Sequence, residues 1–254
     1  MTTGADYFGG WVDGYDRRYD ARDADGHALR ARLRVALRLV GEGPGSILDA
    51  GMGPGRLCAE LARRGFTVSG VDAAPEMVAA ARERLPDAAA RLVCAPIESL
   101  PFPDASFDAV VATGVLEYAR VPAALAELAR VLRPGGTAVV SYPNPHALYG
   151  IWKSRLWYPG VRAAKRVLRR GDRKFPRGGP TIPPSRFTGL VEQSGLRADQ
   201  AVHTSYLVFP TPLDAALPAL TVRVGERLEG AGPGLARLLA TQVVYRARKP
   251  AVSD

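Results

Sequence analysis

Between residues 46 and 141 short apolar runs alternate with helical patterns, and no other feature of the sequence constrains the fold as tightly. Ser46-Ile47-Leu48-Asp49-Ala50 reads as a strand running into glycines, and residues 55–64 as a helix closed by Gly65. Residues 66–71 read as a second strand, 75–85 as a helix with Pro75 in its first turn, and 91–94 as a third strand. Residues 107–112 read as a fourth strand, 121–132 as a helix stopped by Pro134-Gly135-Gly136, and 137–141 as a fifth strand. A parallel partner is reached only through a long crossover, so strands separated by helices predict a parallel sheet with both faces covered.

The flanks have a different character. Residues 1–26 are rich in aspartate and aromatics (Tyr7, Phe8, Trp11, Tyr15, Tyr19). Residues 27–40 place Leu29, Leu33, Leu37 and Val40 at helical spacing with arginines between them. Residues 142–182 break the rhythm with Pro, Gly, Arg and aromatics. Helix and strand resume at 183–194 and 201–208, followed by helical stretches over 210–239 and a last β-like segment at 242–247. The chain has 254 residues and is 47% hydrophobic, enough for a proper core and too apolar for a disordered tail. Two cysteines cannot build a disulfide scaffold, which points to a reducing cytoplasm. No apolar run approaches the ~18 residues of a membrane span. The N-terminus carries acids and aromatics where a signal peptide needs a basic and then an apolar run.

Chemistry concentrates at the first strand–helix junction, Asp49-Ala50-Gly51-Met52-Gly53-Pro54-Gly55. Glycines there let the backbone turn tightly and approach a ligand beyond the carboxyl ends of the strands. A dinucleotide fingerprint wants Gly or Ala at the sixth position counted from Gly51, and that position is Arg56. Asp49, directly before the loop, suits a ligand with a cationic amine better than one with a pyrophosphate. Asp72, at the end of the second strand, can accept both hydroxyls of a ribose.

These residues resemble class I S-adenosylmethionine-dependent methyltransferases, of the small-molecule type 11-like kind. Residues 47–55 look like that family's hydrophobic-acid-x-Gly-x-Gly-x-Gly motif, and Asp72 matches its ribose-binding acid. Residues 100–108 (LPFPDASFD) and 132–136 (LRPGG) look like its signatures before the fourth and fifth strands. The resemblance implies a Rossmann-like, seven-stranded, mostly parallel sheet with an antiparallel last strand and helices on both faces. It implies one domain over 1–254: an N-terminal helical lid (1–40), a cofactor-binding core (46–141), a basic substrate-side insertion (142–182) and the C-terminal part of the core (183–254). It implies S-adenosylmethionine as cofactor, with Ala50, Gly51 and Gly53 under its methionine part and Asp49 on its amino group. Asp72 would take the ribose, Ala73 and Met77 would border the adenine, and Thr113 would offer its carbonyl to the amine. Ile97 would wall the adenine's other side. Many relatives place an Asp just before that position, and here it is Pro96, so adenine recognition leans on Glu98, a backbone carbonyl or water.

Methyl transfer needs alignment first, and an acceptor of high pKa also needs a base. His146, beyond the fifth strand, is a candidate base. Glu117 and Tyr118 follow the fourth strand and face the same cleft, and a mechanism by proximity alone stays open. His203 reads as a core residue and His27 as a cap or orienting group for the first long helix. Tyr15 or Tyr19 would close over the cofactor's carboxylate.

The net charge of +9 has one address. Residues 145–180 hold ten Lys and Arg against one acid, Asp172, and the rest of the chain is neutral. Within the stretch Val161, Ala164 and Leu168 share a helical face, with Arg162, Arg166, Arg169 and Arg170 elsewhere and aromatics upstream. It reads first as a substrate lid for an anionic acceptor. The second reading is a peripheral contact with anionic membrane through 148–177, where a lipid or prenyl substrate would be met. Nucleic acid ranks last, because a base-methylating relative shows an Asn/Asp-Pro-Pro-aromatic cluster where this chain has Thr113-Gly114-Val115-Leu116. The expected acceptor is a small specialised metabolite with an anionic or hydroxyl handle. A non-catalytic cofactor-binding module is the alternative, and the sequence carries no signal for oligomeric state.

Overall fold

The computed structural model describes residues 12–167, 181–229 and 232–251. Its strands form one seven-stranded sheet in the order β3-β2-β1-β4-β5-β7-β6. They are β1 (Gly45–Ala50), β2 (Phe66–Asp72), β3 (Leu92–Cys94), β4 (Phe107–Ala112), β5 (Leu132–Pro143), β6 (Arg197–Tyr206) and β7 (Ala240–Arg248). The first five pair in parallel, and β7 enters antiparallel between β5 and β6. The central strands read as unbroken apolar runs because both faces are covered: Ile47, Leu48, Ala50, Val110, Val111 and Ala112 are fully buried. The sheet order reverses its direction of growth between β1 and β4, where crossovers leave to opposite faces and a crevice opens at the strands' carboxyl ends.

The covering helices are α1 (Val12–Asp20), α2 (Ala24–Val40), α3 (Arg56–Arg63), α4 (Pro75–Arg84) and α5 (Val121–Val131). Beyond β5 come α6 (Leu148–Trp152), a π-helical stretch (Lys153–Trp157), α7 (Tyr158–Val167) and α8 (Pro184–Gln193). Beyond β6 come α9 (Leu213–Ala216), α10 (Pro218–Leu228) and α11 (Pro233–Leu239). One core lies between α5, α8 and the sheet, where Phe187 stacks on Tyr142 at 4.7 Å and meets Tyr245 at 4.8 Å. The other lies between α2, α3, α4 and the opposite face.

Several expectations need correction. Of Leu29, Leu33, Leu37 and Val40 on α2, Leu37 is buried and Leu33 and Val40 pack partly against the core, but the buried stripe is a different one. It runs through His27, Ala31, Arg32, Val35, Ala36 and Leu39, joined by Leu37, while Leu29 and Leu33 stay half-exposed. Asp23, not His27, caps this helix, accepting the Gly26 N–H at 2.9 Å. His27 is instead buried with its Nε2 3.5 Å from Glu229 Oε1, against α10. The run Pro134-Gly135-Gly136 does not precede the fifth strand but lies inside it. Phe107 pairs with Leu132 and Ala109 with Thr137, so the intervening residues bulge from β5, with Gly135 at φ +79°. The basic insertion is helical from 148 to 167, longer than its apolar spacing predicted. Leu168, Arg169, Arg170 and the rest of 168–180 lie outside the described residues, as do Tyr7, Phe8 and Trp11.

Candidate active site

The glycine loop leaves β1 at the crevice. The N–H groups of Gly51 and Met52 both donate to the Val71 carbonyl, at 2.8 and 2.9 Å, which folds the loop back over the end of β2. Gly51 sits at φ +82°, and a Cβ there would come within 2.6 Å of the Val115 side chain. Conformation and space both demand glycine, and the loop is thereby pressed against the segment that follows β4.

Two carboxylates flank the loop and differ sharply. Asp72 is hydrogen-bonded by backbone alone: Oδ2 accepts the Gly53 N–H and Oδ1 the Ala74 N–H, each at 2.9 Å. Each oxygen keeps a further lone pair for a hydroxyl. Burial raises its pKa, and these backbone donors pull it back. Asp49 is 1% exposed and accepts the Cys58 S–H at 3.3 Å. Burial lifts its pKa to about 7, with the Cys58 hydrogen bond opposing and the Asp72 charge adding to the rise. Cys58 stays a thiol, its own pKa pushed well up by burial and by Asp49. A buried carboxyl poised near neutrality is a receptor for a cation.

Directly after β2, Ala73 is exposed and its carbonyl lies 3.8 Å from the exposed Cys94 Sγ. Met77 is buried on α4 and Ile97 is buried in the core beside Leu100. The Pro96 carbonyl accepts the Ser99 N–H at 3.1 Å. Glu98 is already engaged: its Oε1 accepts the Arg120 N–H at 2.8 Å, where α5 begins. Of the candidates for adenine recognition, the Glu98 side chain is thus partly committed elsewhere. Ala50 is fully buried in the strand.

Helix α1 beside the loop is ion-paired. Tyr15 of α1 lies over the loop, with its ring 3.7 Å from the place of a Cβ on Gly53 and 5.6 Å from the Tyr19 ring. Arg56 Nη1 and Nη2 reach Asp20 at 3.0 and 3.1 Å, its Nε reaches Asp16 at 3.4 Å, and its guanidinium covers the Tyr19 ring at 5.0 Å. Arg84 of α4 also pairs with Asp16. The residue that argued against a dinucleotide site therefore anchors α1 beside the glycine loop.

The segment after β4 brings together the buried Arg32 and the half-buried Glu117, of which the sequence had pointed only to Glu117. Arg32 of α2 is 8% exposed. Its guanidinium roofs the segment after β4, where a Cβ on Gly114 would meet Nη2 at 2.6 Å. The Tyr19 and Tyr15 phenols and Glu117 lie beside it and hold it charged against desolvation. Glu117, on a single 3-10 turn (Leu116–Tyr118), has a buried Oε2 with no hydrogen-bond partner. Burial raises its pKa and the Arg32 charge moderates the rise. The same carboxylate adds to the raised pKa of Tyr142, which burial dominates. Tyr118 is exposed, and Thr113 is half-buried before Gly114, whose N–H donates to the Ser141 Oγ at 2.9 Å. The signal for Arg32 was an arginine within the apolar helical spacing, one residue from Leu33.

His146 and its neighbours are placed differently. Asn144 donates from Nδ2 to the carbonyls of Ala240 and Arg237, at 2.7 and 2.9 Å, and its Oδ1 accepts the His146 N–H at 3.1 Å. Asn144 thus fastens β5 to the start of β7, and the His146 side chain is exposed. His203 is half-buried on β6, its pKa lowered by burial and by Arg237. The two later motifs hold the opposite end of the sheet: Asp108 accepts the Ser46 N–H at 2.7 Å and pairs with Arg133, which keeps its carboxyl at about 2.

Residues 48–140 match the model of the family described as "Methyltransferase domain". A demethylmenaquinone methyltransferase of Beutenbergia cavernae is 36% identical over 164 residues, 61% of this chain and 68% of that protein. The chain belongs to the class I S-adenosylmethionine-dependent methyltransferases. A malonyl-[acyl-carrier protein] O-methyltransferase of Serratia marcescens is 42% identical over 128 residues, 48% of this chain and 49% of that protein. This methyltransferase thus spans between about half and two thirds of these curated relatives' length. Among solved structures, the methyltransferase complexed with the Trm112 activator of Haloferax volcanii superposes with a TM-score of 0.65 at 20% identity, over 96% of this chain and 97% of that one. The family's cofactor is S-adenosylmethionine, and the site's chemistry fits it. The loop admits no Cβ at Gly51, Asp49 is a cation receptor, and Asp72 has lone pairs for a diol.

Proposed function

We propose that this methyltransferase, folded as one domain, methylates a small specialised metabolite that carries an anionic or hydroxyl handle. Glu117 acts as the base, and the observation behind this reading is its buried, unpartnered Oε2 beside Arg32. Asp49 and Asp72 hold the cofactor's amine and ribose. Tyr15 and Arg32 close over its carboxylate end, Ala73 and Met77 border the adenine, and Thr113 turns its carbonyl to the amine. Bound S-adenosylmethionine supplies an electrophilic methyl. The protein's own work is to exclude water beneath α1, orient the acceptor, and take one proton from its hydroxyl at Glu117. Desolvation favours this step, since a carboxylate stripped of water is a stronger base. The free thiols Cys58 and Cys94 suit a reducing cytoplasm, and no described helix is long and apolar enough to cross a membrane.

Release of S-adenosylhomocysteine over a panel of hydroxyl and carboxylate acceptors tests the reading. Turnover on at least one is expected. Glu117→Gln should lower kcat by about a hundredfold or more with cofactor affinity intact. The wild-type rate should rise with pH through a limb above the ordinary carboxylate range, and the variant should lose that limb. Cofactor binding without turnover on any acceptor would favour a binding module, and an unchanged E117Q rate would leave proximity as the mechanism.

A further inference from the structure

The large apolar side chains left in water are not spread over this protein. Among the described residues, nine of the ten such side chains lie between residues 148 and 238, and none lies on α3, α4, α5 or α8, which cover the sheet. Leu148 and Ile151 stand out from α6, and Leu156 from the π-helical stretch is 59% exposed. Leu213 lies on α9, Leu217 at the junction with α10 and Leu220 on α10, while Leu235 and Leu238 stand out from α11.

These elements are neighbours. The Tyr149 hydroxyl donates to Asp214 Oδ2 at 2.7 Å, and Trp152 Nε1 donates to the Thr211 carbonyl at 3.0 Å, tying α6 to the start of α9. Helix α6 also packs on α11, and Asn144 holds the Arg237 carbonyl. Helices α6, α9 and α11 adjoin Pro143, Tyr206 and Ala240 in the chain, at the end of the sheet where the glycine loop opens, and α10 joins them through α9 while packing on α2 and β6. Single exposed leucines are ordinary, but a gathering on one end is a contact surface.

Charge identifies what it contacts. Residues 148–167 contain five Lys and Arg and no acid. Arg155, Arg162, Arg227 and Arg237 are exposed in the same elements as the leucines, and Tyr158 is exposed among them. Leucines for an apolar layer, with cations and an amphipathic ring for the layer above it, match a lipid surface with anionic headgroups. We propose that this end of the molecule docks on an anionic phospholipid bilayer, with its cleft facing the lipid. The docking is a property separate from methyl transfer and is read separately.

Co-sedimentation of the full chain with vesicles of phosphatidylglycerol and phosphatidylcholine, against phosphatidylcholine alone, tests it. Pelleting with the anionic vesicles is expected, weaker at high salt. A Leu156→Glu/Leu213→Glu variant should partition about tenfold less. An Arg155→Gln/Arg162→Gln variant, altered only at exposed positions, should bind less and lose part of the salt dependence. Calorimetric binding of S-adenosylhomocysteine should be the same in all three proteins, which shows that the variants fold. Failure of the wild type to bind it would count against the methyltransferase site and leave the vesicle result standing. No pelleting, equal pelleting with neutral vesicles, or variants that pellet like the wild type would overturn the proposal. So would self-association through this face without vesicle binding, seen by light scattering and abolished in L156E/L213E.

Discussion

Asp49 shows how a single buried group can couple binding to stability. Its folded pKa of about 7 lies above the ordinary value of 3.8. Between those values the unfolded chain releases a proton that the folded chain retains, so the stability of the cofactor-free protein falls as pH rises from about 4 to about 7 and levels off above. Asp49→Asn should remove that slope. Its melting temperature should exceed the wild type's most at pH 8 and converge with it near pH 4, while its affinity for S-adenosylhomocysteine drops. A wild-type slope retained in the variant would assign the effect to another group. The placement of Asp49 at the crevice was legible because an acid at the end of a strand, directly before a glycine loop, lies at the mouth of the sheet. Its partner Cys58 was not legible, because nothing in a helical Leu-Cys-Ala-Glu run marks the thiol as facing the strand. Arg32 was hidden for a related reason: among many arginines on one helix, only three-dimensional packing shows which guanidinium turns inward.

At the scale of elements, helix α1 is held by ion pairs as well as by the buried ring of Tyr19. Asp16 and Asp20 bind Arg56 and Arg84 across the glycine loop. These pairs stand at the surface, with Asp20 exposed, where salt screens them. Asp16→Asn/Asp20→Asn should therefore weaken S-adenosylhomocysteine binding by about three- to tenfold, more so at low salt, with little change in melting temperature. Equal affinity at low and high salt in the wild type would show that the pairs do not hold α1 over the glycine loop. The strand and helix boundaries of 46–131 were readable to within a residue or two because periodicity, glycine and proline agree there. The bulge in β5 was not, since Pro-Gly-Gly is a stop signal locally and a sheet irregularity only when β4 supplies the register.

For the whole molecule, ligand binding adds to folding free energy by mass action. At a hundredfold excess over Kd, S-adenosylhomocysteine should stabilise the protein by about 2.7 kcal/mol and raise the melting midpoint by about 5–10 °C. NAD should leave the midpoint unmoved, because Arg56 is engaged with the lid acids at the position where a dinucleotide loop needs a small residue. A shift with NAD alone would contradict the cofactor assignment. The charge of the chain was legible as one block, whereas the apolar surface it borders was not. Leu213, Leu217, Leu220, Leu235 and Leu238 fall in segments that read simply as helices with proline breaks, and only the fold brings α9 and α11 beside α6.

The antiparallel strand β7 has a consequence for how the protein is made. Strand β6 has its sheet pairing with β7, and β5 borders β7 on its outer side. During synthesis, therefore, residues 132–143 and 197–206 emerge from the ribosome with no means of joining one another until residues 240–248 arrive. For that interval β5 lacks its outer neighbour and β6 has no strand partner at all, and residues 240–248 are the keystone that makes the sheet continuous.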